Sequence, residues 1–181
     1  MSIMDLSRKP WENILLDGSI SCPGDFYHAV ADRNERLPEN GCILLDEGAK
    51  RIIENPGFDF NVWGQMDFDK IYPRDFGFRK TYRKSDICIV AVNRGFTLCP
   101  PLVALYVRLA YVDQPLNERL AIAMVPVIQF SENLAVKTSG KKEIFLLERD
   151  SQGLWLKGIP EAYEKLSNED RCWLFKTYLS D

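Results

Sequence analysis

Imidazole is nearly absent from this chain of 181 residues: His28 is its one histidine. The five cysteines (Cys22, Cys42, Cys88, Cys99 and Cys172) are odd in number, scattered, and form no C-x-x-C pair. A disulfide framework draws on an even, closely spaced set, so reduced and mostly buried thiols are expected. Zinc takes four ligands at recognisable spacing, and these residues offer none, so neither metal nor cofactor is expected. Glycine-rich phosphate loops are missing too. There is no G-x-G-x-x-G, no Walker sequence, no H-E-x-x-H and no G-x-S-x-G, and the glycines are spread as turn residues. Long apolar runs are the last absence. The longest, "CPPLVALYVRLAYV", is too short to cross a bilayer and contains Arg108. Met1 to Leu16 is broken by Asp5, Arg8, Lys9, Pro10 and Glu12, so it lacks the uninterrupted apolar core of a signal peptide. These absences predict a soluble protein without a membrane span, located in the cytoplasm or in a host cell's cytosol.

What is present is the composition of a folded chain, with 46% hydrophobic, 12% aromatic and 27% charged residues. The net charge of −3 hides an asymmetry. Residues 1–66 carry 6 basic and 11 acidic side chains, residues 67–111 carry 8 and 4, and residues 112–181 carry 9 and 11. A basic middle is therefore set in an acidic chain. Nucleic-acid-binding domains usually carry an overall positive excess, so any phosphate-binding surface here has to be local.

The N-terminal third reads as helical. "PWENILLDG" has Pro10 at a first helical position and Gly18 past the end. In "PGDFYHAVADRNERLPENG", Phe26, Ala29, Val30, Arg33 and Leu37 recur at helical spacing before Pro38. "CILLDEGAKRIIENPG" reads as a further helix, with Cys42 to Leu45 as an alternative strand because Gly48 weakens the pattern. From Phe58 the period changes to two. "FDFNVWG" and "FGFRKTYRK" alternate, the second burying Phe76, Phe78 and Tyr82 and exposing Arg79, Arg83 and Lys84. "DICIVAVN" reads as a central strand, and "LVALYVRLAYV", rich in Val and Tyr, as another. "RLAIAMVPVIQF" is its partner, with an edge or bulge at Pro126. A meander follows, turning at Thr138–Lys141 and Asp150–Gly153. Ser167 with Asp170 three residues later gives a capping-box pattern for a closing helix.

Three sets of residues could carry chemistry. His28 would have Asp25 and Asp32 on its helix face, and an aspartate orienting an imidazole that activates a cysteine is a legitimate nucleophile arrangement; a helix-surface histidine is the plainer reading. Asp67 and Asp69 would share a strand face, as paired acids or as solvated loop carboxylates. The stretch "DFDKIYPRDFGFRKTYRK", residues 67–84, holds three aspartates, six basic residues and five aromatics. Aromatics on a sheet stack on unpaired bases while cations hold phosphates, but here the two types face opposite sides of one strand. "IPEAYEKLSNEDRCWLFKTYL" has a helix-turn-helix outline, yet Asn168, Glu169 and Asp170 would repel phosphates where a recognition helix needs Arg, Asn or Gln. The fragment "VALYVRLAYVDQ" resembles the aliphatic strand ending in aspartate of plant-virus movement proteins; the resemblance implies a strand there, and no function is taken from it.

The sequence thus predicts a single α+β domain over residues 1–181: helical at 10–55, β-rich with a mainly antiparallel sheet at 58–157, and a C-terminal helix at 160–179 packed on that sheet. The expected function is a non-enzymatic adaptor, regulator or assembly subunit. It would bind an acidic protein partner or polyanion through a basic strand at 74–84, with Arg74, Arg79, Lys80, Arg83 and Lys84 as the binding residues. The alternatives are a binder of single-stranded nucleic acid through residues 70–84, and a small enzyme using His28 and a cysteine. The uncharged segment after Arg119 predicts a homodimer, or cover by the C-terminal helix, at a sheet edge.

Overall fold

The computed structural model describes residues 11–79, 81–129, 141–161, 166–167 and 171–177. The first element departs from expectation. Glu12–Leu16 is a strand, β1, because its side chains alternate: Ile14 and Leu16 are buried while Asn13 and Leu15 face out. Gly18 then turns the chain at φ +79°, and the Trp63 ring lies where a Cβ would project. Helix α1 (Pro23–Asn34) forms as expected, with Pro23 and Asp25 in its first turn, Arg33 in its last, and Phe26 and Val30 buried.

The next segment resolves into both of its readings. Ile43–Leu45 is strand β2 and Glu47–Ile53 is helix α2, capped by Asp46, whose Oδ1 accepts from the backbone N–H of Ala49 at 2.6 Å. Gly48 weakens the helix for a reason. A Cβ there would stand 2.3 Å from the carbonyl oxygen of Gly158, so glycine permits α2 to cross the sheet at contact distance.

Strand β3 (Gly64–Ile71) pairs antiparallel with β1. No regular strand forms over "FDFNV", where Phe58 packs on Phe60 and Phe145 instead. After a 3-10 turn at Pro73–Phe76 come the two-residue strand β4 (Thr81–Tyr82), helix α3 (Lys84–Val92), strand β5 (Phe96–Thr97) and helix α4 (Val103–Ala110). The remaining described elements are strands: β6 (Arg119–Ile122), β7 (Val127–Gln129), β8 (Lys141–Arg149), β9 (Leu154–Pro160), β10 (Leu166–Ser167) and β11 (Cys172–Thr177).

The main sheet has nine strands, in the path β1-β3-β11-β6-β8-β9-β2, with β5 also on β11 and β7 also on β8. It is mostly antiparallel; β11 with β6 and β2 with β9 are its parallel pairs. Four helices complete the mixed α and β content of the described residues. None of those residues forms a helix long and apolar enough to cross a membrane.

Four corrections follow. "DICIVAVN" is α3: Asp86 accepts from the Arg83 N–H at 3.0 Å to start it, and Gly95 at φ +88° follows its end. "LVALYVRLAYV" contains α4, and the strand implied by its resemblance to movement proteins goes with it. Every side chain from Val103 to Arg108 is buried, and a short run that is apolar all round gives no period by which to tell a buried helix from a buried strand. Where the C-terminal helix was expected at 160–179, the described residues form the end of β9, β10 and β11, whose Cys172, Trp173, Leu174 and Phe175 are buried on both faces at the centre of the sheet. Of the capping-box pair, Ser167 lies in β10 and Asp170 outside the described residues. Finally, the basic strand at 74–84 is a 3-10 turn, the short β4 and the start of α3, because Pro73 and Gly77 impose turn geometry.

Two further expectations held. Asp150–Gly153 is the β8–β9 turn, with Asp150 Oδ1 accepting from Gln152 N–H at 2.8 Å. Pro126 falls in the break between β6 and β7. The turn at 138–141 begins outside the described residues. Of the segment after Arg119, β6 lies between β11 and β8, while β7, after Pro126, pairs with β8.

Candidate functional site: an arginine-lined cleft

Three adjacent strands bring distant residues to one end of the sheet. Trp173 pairs with Ile71, so the end of β3 lies beside the start of β11. Cys172 pairs in parallel with Leu120, so Arg171 and Arg119 precede and enter neighbouring strands at that same end. There the surface opens into a cleft of about 1000 Å³ lined by Tyr72, Arg74, Phe78, Arg79, Leu116, Asn117, Glu118, Arg119, Arg171 and Cys172, among others.

One wall is the turn after β3. The backbone N–H of Tyr72 donates to Asp75 Oδ2 at 3.2 Å, the Asp75 N–H donates back to the Tyr72 carbonyl at 2.9 Å, and Phe76 is buried beneath. Gly77 then reverses the chain at φ +86°, a left-handed conformation that favours glycine. Arg74 and Arg79 are left exposed, with the Arg74 guanidinium 4.9 Å from the centre of the Tyr72 ring.

The opposite wall is the loop before β6, and it is held from inside. Gln114 is fully buried; it accepts from Arg108 Nη1 at 2.6 Å and donates to the carbonyls of Glu118 at 3.1 Å and Leu147 at 3.2 Å. Arg108 also donates to the carbonyls of Trp155 and Tyr111, and its burial pushes the guanidinium pKa down to about 10. Asn117, at φ +65°, donates its backbone N–H to the Arg149 carbonyl at 2.7 Å. The loop is thus fastened to α4, β8 and β9.

The charge of the cleft is set behind its wall. Four of the lining residues are arginines and one, Glu118, is a carboxylate. Glu118 Oε1 lies 2.6 Å from Lys70 Nζ, and its Oε2 accepts from the Tyr111 hydroxyl at 2.8 Å. Lys70 is sandwiched between rings, 4.8 Å from the centre of Trp11 and 4.7 Å from that of Tyr111. The Glu118 charge is therefore neutralised from the interior, by Lys70. Burial and Glu118 together hold the Tyr111 hydroxyl protonated well above the usual phenol range. Arg119 Nε is 3.4 Å from Glu148, which is itself 2.7 Å from Lys157. Arg79 forms no ion pair among the described residues.

The expected binding residues divide. Arg74 and Arg79 line the cleft. Arg83 is exposed at the start of α3 and is not among the cleft's lining residues. Lys84 is a correction: it is buried, with Nζ 3.0 Å from both the Met124 carbonyl and Glu161, and fastens α3 to the sheet. Lys80 lies outside the described residues. Arg119, Arg171 and Tyr72 are the additions. Arg119 and Arg171 stand at the heads of apolar runs, and only the parallel register of β6 and β11 unites them.

The other candidates separate. His28 is exposed on α1, while Asp25 is committed to the Ser21 backbone N–H at 2.9 Å and hydroxyl at 2.7 Å, contacts that draw its pKa below the usual carboxylate range. All five thiols are free; Cys99 and Cys172 are buried, and burial pushes the Cys172 thiol up to about 12. Asp67 and Asp69 do share a face of β3, where Asp67 accepts from the Asn13 side chain and Asp69 from the Trp11 backbone at 3.1 Å, joining β1 and its lead-in to β3. The described residues contain no cluster of His, Cys, Asp and Glu able to hold a metal ion. Comparison with protein-family models, with curated proteins and with solved structures finds no match.

Proposed function

We propose that this chain is a non-enzymatic interaction protein that docks an anionic segment of a protein partner in the arginine cleft. The observation that carries the reading is the pairing of Glu118: the carboxylate that lines the cleft among the described residues is held by Lys70, while Arg74 and Arg79 are exposed on the other wall. The exposed Tyr72 at the rim supports the second reading, single-stranded nucleic acid, because an aromatic ring beside guanidinium groups can stack on a base. The chain's net charge of −3 favours the protein partner, since a nucleic-acid backbone extending beyond the cleft would meet acidic surface.

The test is charge reversal of the two exposed arginines on the first wall. Arg74→Glu with Arg79→Glu should weaken binding of a labelled polyglutamate by about tenfold or more at low salt, and binding to the unaltered chain should fall steeply as salt is raised. Circular dichroism should show an unchanged fold, because neither side chain is buried. Unchanged affinity in a folded variant would contradict the proposal.

A further inference from the structure

We infer that strand β1 takes up an extended segment of a partner protein as an added strand, at a surface separate from the arginine cleft. The two ends of the main sheet are finished differently. At one end β2 is closed by α1: Asn34 Nδ2 donates to the Ile43 carbonyl at 3.0 Å, and Asn34 Oδ1 accepts from the Ile43 N–H at 2.7 Å. A single side-chain amide occupies both backbone groups there, which blocks that edge to a further strand. At the other end β1 pairs with β3, and its Asn13 directs its side chain along the sheet to Asp67 and Gln65 of β3. Among the described residues no side chain bonds the backbone of Glu12–Leu16. Every second residue of an edge strand turns its N–H and C=O away from its partner, so β1 presents a row of donors and acceptors.

A groove of about 580 Å³ lies along that row. Glu12, Asn13, Ile14 and Leu15 line it in succession. Successive side chains of a strand point to opposite faces, so four in a row share one space only where the strand shows its edge. Across the groove stand Ala29 of α1 and Leu109 and Ala110 of α4. An extended peptide fits this shape, with its backbone on β1 and alternate side chains against the small residues of the helices. Its other side chains would meet Leu15, which is 58% exposed on the opposite face of the strand. Charges of both signs line the groove, Arg33 and Arg36 with Glu12, Asp17 and Asp32, so the segment taken up is uncharged. A second copy of the chain fits less well, because a two-fold pairing of β1 would bring its own α1 and α4 to the space that the first copy's helices already wall.

The experiment uses the full chain and a fluorescent pool of short peptides with valine at alternate positions and mixed uncharged residues between them. The pool should bind saturably, with an affinity that changes by less than about twofold when salt is raised. N-methylation of alternate peptide nitrogens should weaken binding by about tenfold or more in one register and by less than about threefold in the other, because a strand bonds its neighbour with every second residue. Ala110→Trp, at an exposed position, should fill the groove and weaken binding by about tenfold, with circular dichroism unchanged. Arg74→Glu with Arg79→Glu should leave binding of the pool within about twofold. Loss of pool binding in that variant would move the pool to the arginine cleft and overturn the inference, while polyglutamate binding judges the cleft by itself. Equal weakening in the two methylation registers would mean docking by side chains rather than strand addition and would overturn it, as would the lack of saturable binding. Dimerisation of the chain in sedimentation, abolished by Ala110→Trp, would replace the peptide by a second copy.

Discussion

Two grooves of the molecule are lined by arginine, and they differ in what faces those arginines. In the cleft at the ends of β3, β11 and β6, Glu118 is turned to Lys70, and Arg74 and Arg79 are exposed. The second groove, about 580 Å³, runs beside β1 and is walled by α1 and α4. It contains Arg33 and Arg36, but Glu12, Asp17 and Asp32 line the same space. Asp17 is held as a carboxylate by Ser19 and by the Tyr106 hydroxyl at 3.1 Å, which lower its pKa. Its charge therefore persists and compensates the arginines. Four arginines line the first place and two the second, and the carboxylates among them differ as well: in the first, Glu118 is neutralised from the interior by Lys70, which is set between Trp11 and Tyr111 behind one wall.

The largest effect is expected where that wall is fastened. Arg108→Met would leave the Gln114 side-chain oxygen and the carbonyls of Trp155 and Tyr111 without their donor, inside the protein. Buried acceptors left unsatisfied cost about 1–3 kcal/mol each, so a loss of about 3 kcal/mol or more is expected in denaturant unfolding.

Next comes Lys70. Lys70→Met removes the partner of a Glu118 side chain that is 12% exposed, which should destabilise by about 3 kcal/mol and return a negative charge to the cleft. Anion binding by the folded fraction should drop several-fold, and adding Glu118→Gln should restore it. Restoration by the neutral glutamine would place the effect on the charge of Glu118 rather than on the shape of the wall. Failure to restore it would remove the distinction drawn between the two grooves.

Parts of this arrangement were legible in the sequence. Helix α1 has a proline and an acid at its start and an arginine near its end, and the Asp150–Gly153 turn separates two alternating runs; such local signals survive folding because their hydrogen bonds are local. The exposure of Arg74 and Arg79 was legible as well, since they belong to one continuous basic stretch. The burial of Lys84 was not, because its partners, Met124 and Glu161, are 40 and 77 residues away. The exchange of helix and strand in α3, α4 and β11 has one cause. In "ICIVAV", "LVALYV" and "CWLF" nearly every side chain is apolar, so neither period can be read; the last two are buried on both faces, while α3 leaves Ile89 and Val92 exposed. Arg119 and Arg171 were hidden for another reason: each introduces an apolar strand, and their neighbourhood exists only through the parallel pairing of β6 with β11.

A smaller effect concerns alkaline pH and separates the buried lining of the first cleft from exposed thiols. Cys172 has its thiol raised to about 12 by burial, with Glu118 adding to the shift. The native state therefore keeps a proton that the unfolded chain loses from about pH 8.5 upward. Above that point the folded form binds more protons, so stability should fall as pH rises toward 12 and should be insensitive to this group below about 8. Urea unfolding between about pH 8 and 10.5 checks the sign, and Cys172→Ala should flatten the slope. In the native protein at neutral pH, iodoacetamide should label the exposed Cys22 well before Cys99 or Cys172.

The most direct measurement sets the two grooves against each other. Arg74→Glu with Arg79→Glu and Arg33→Glu with Arg36→Glu make the same change of charge at the two places, and both variants can be titrated with the same labelled polyanion at low salt. The first pair should reduce affinity by about tenfold or more and the second by less than about twofold, because Arg74 and Arg79 share their cleft with a carboxylate held by Lys70, whereas Arg33 and Arg36 share theirs with Glu12, Asp17 and Asp32. Equal losses from the two pairs would mean that binding follows net charge alone, and the arginine cleft would not be the site.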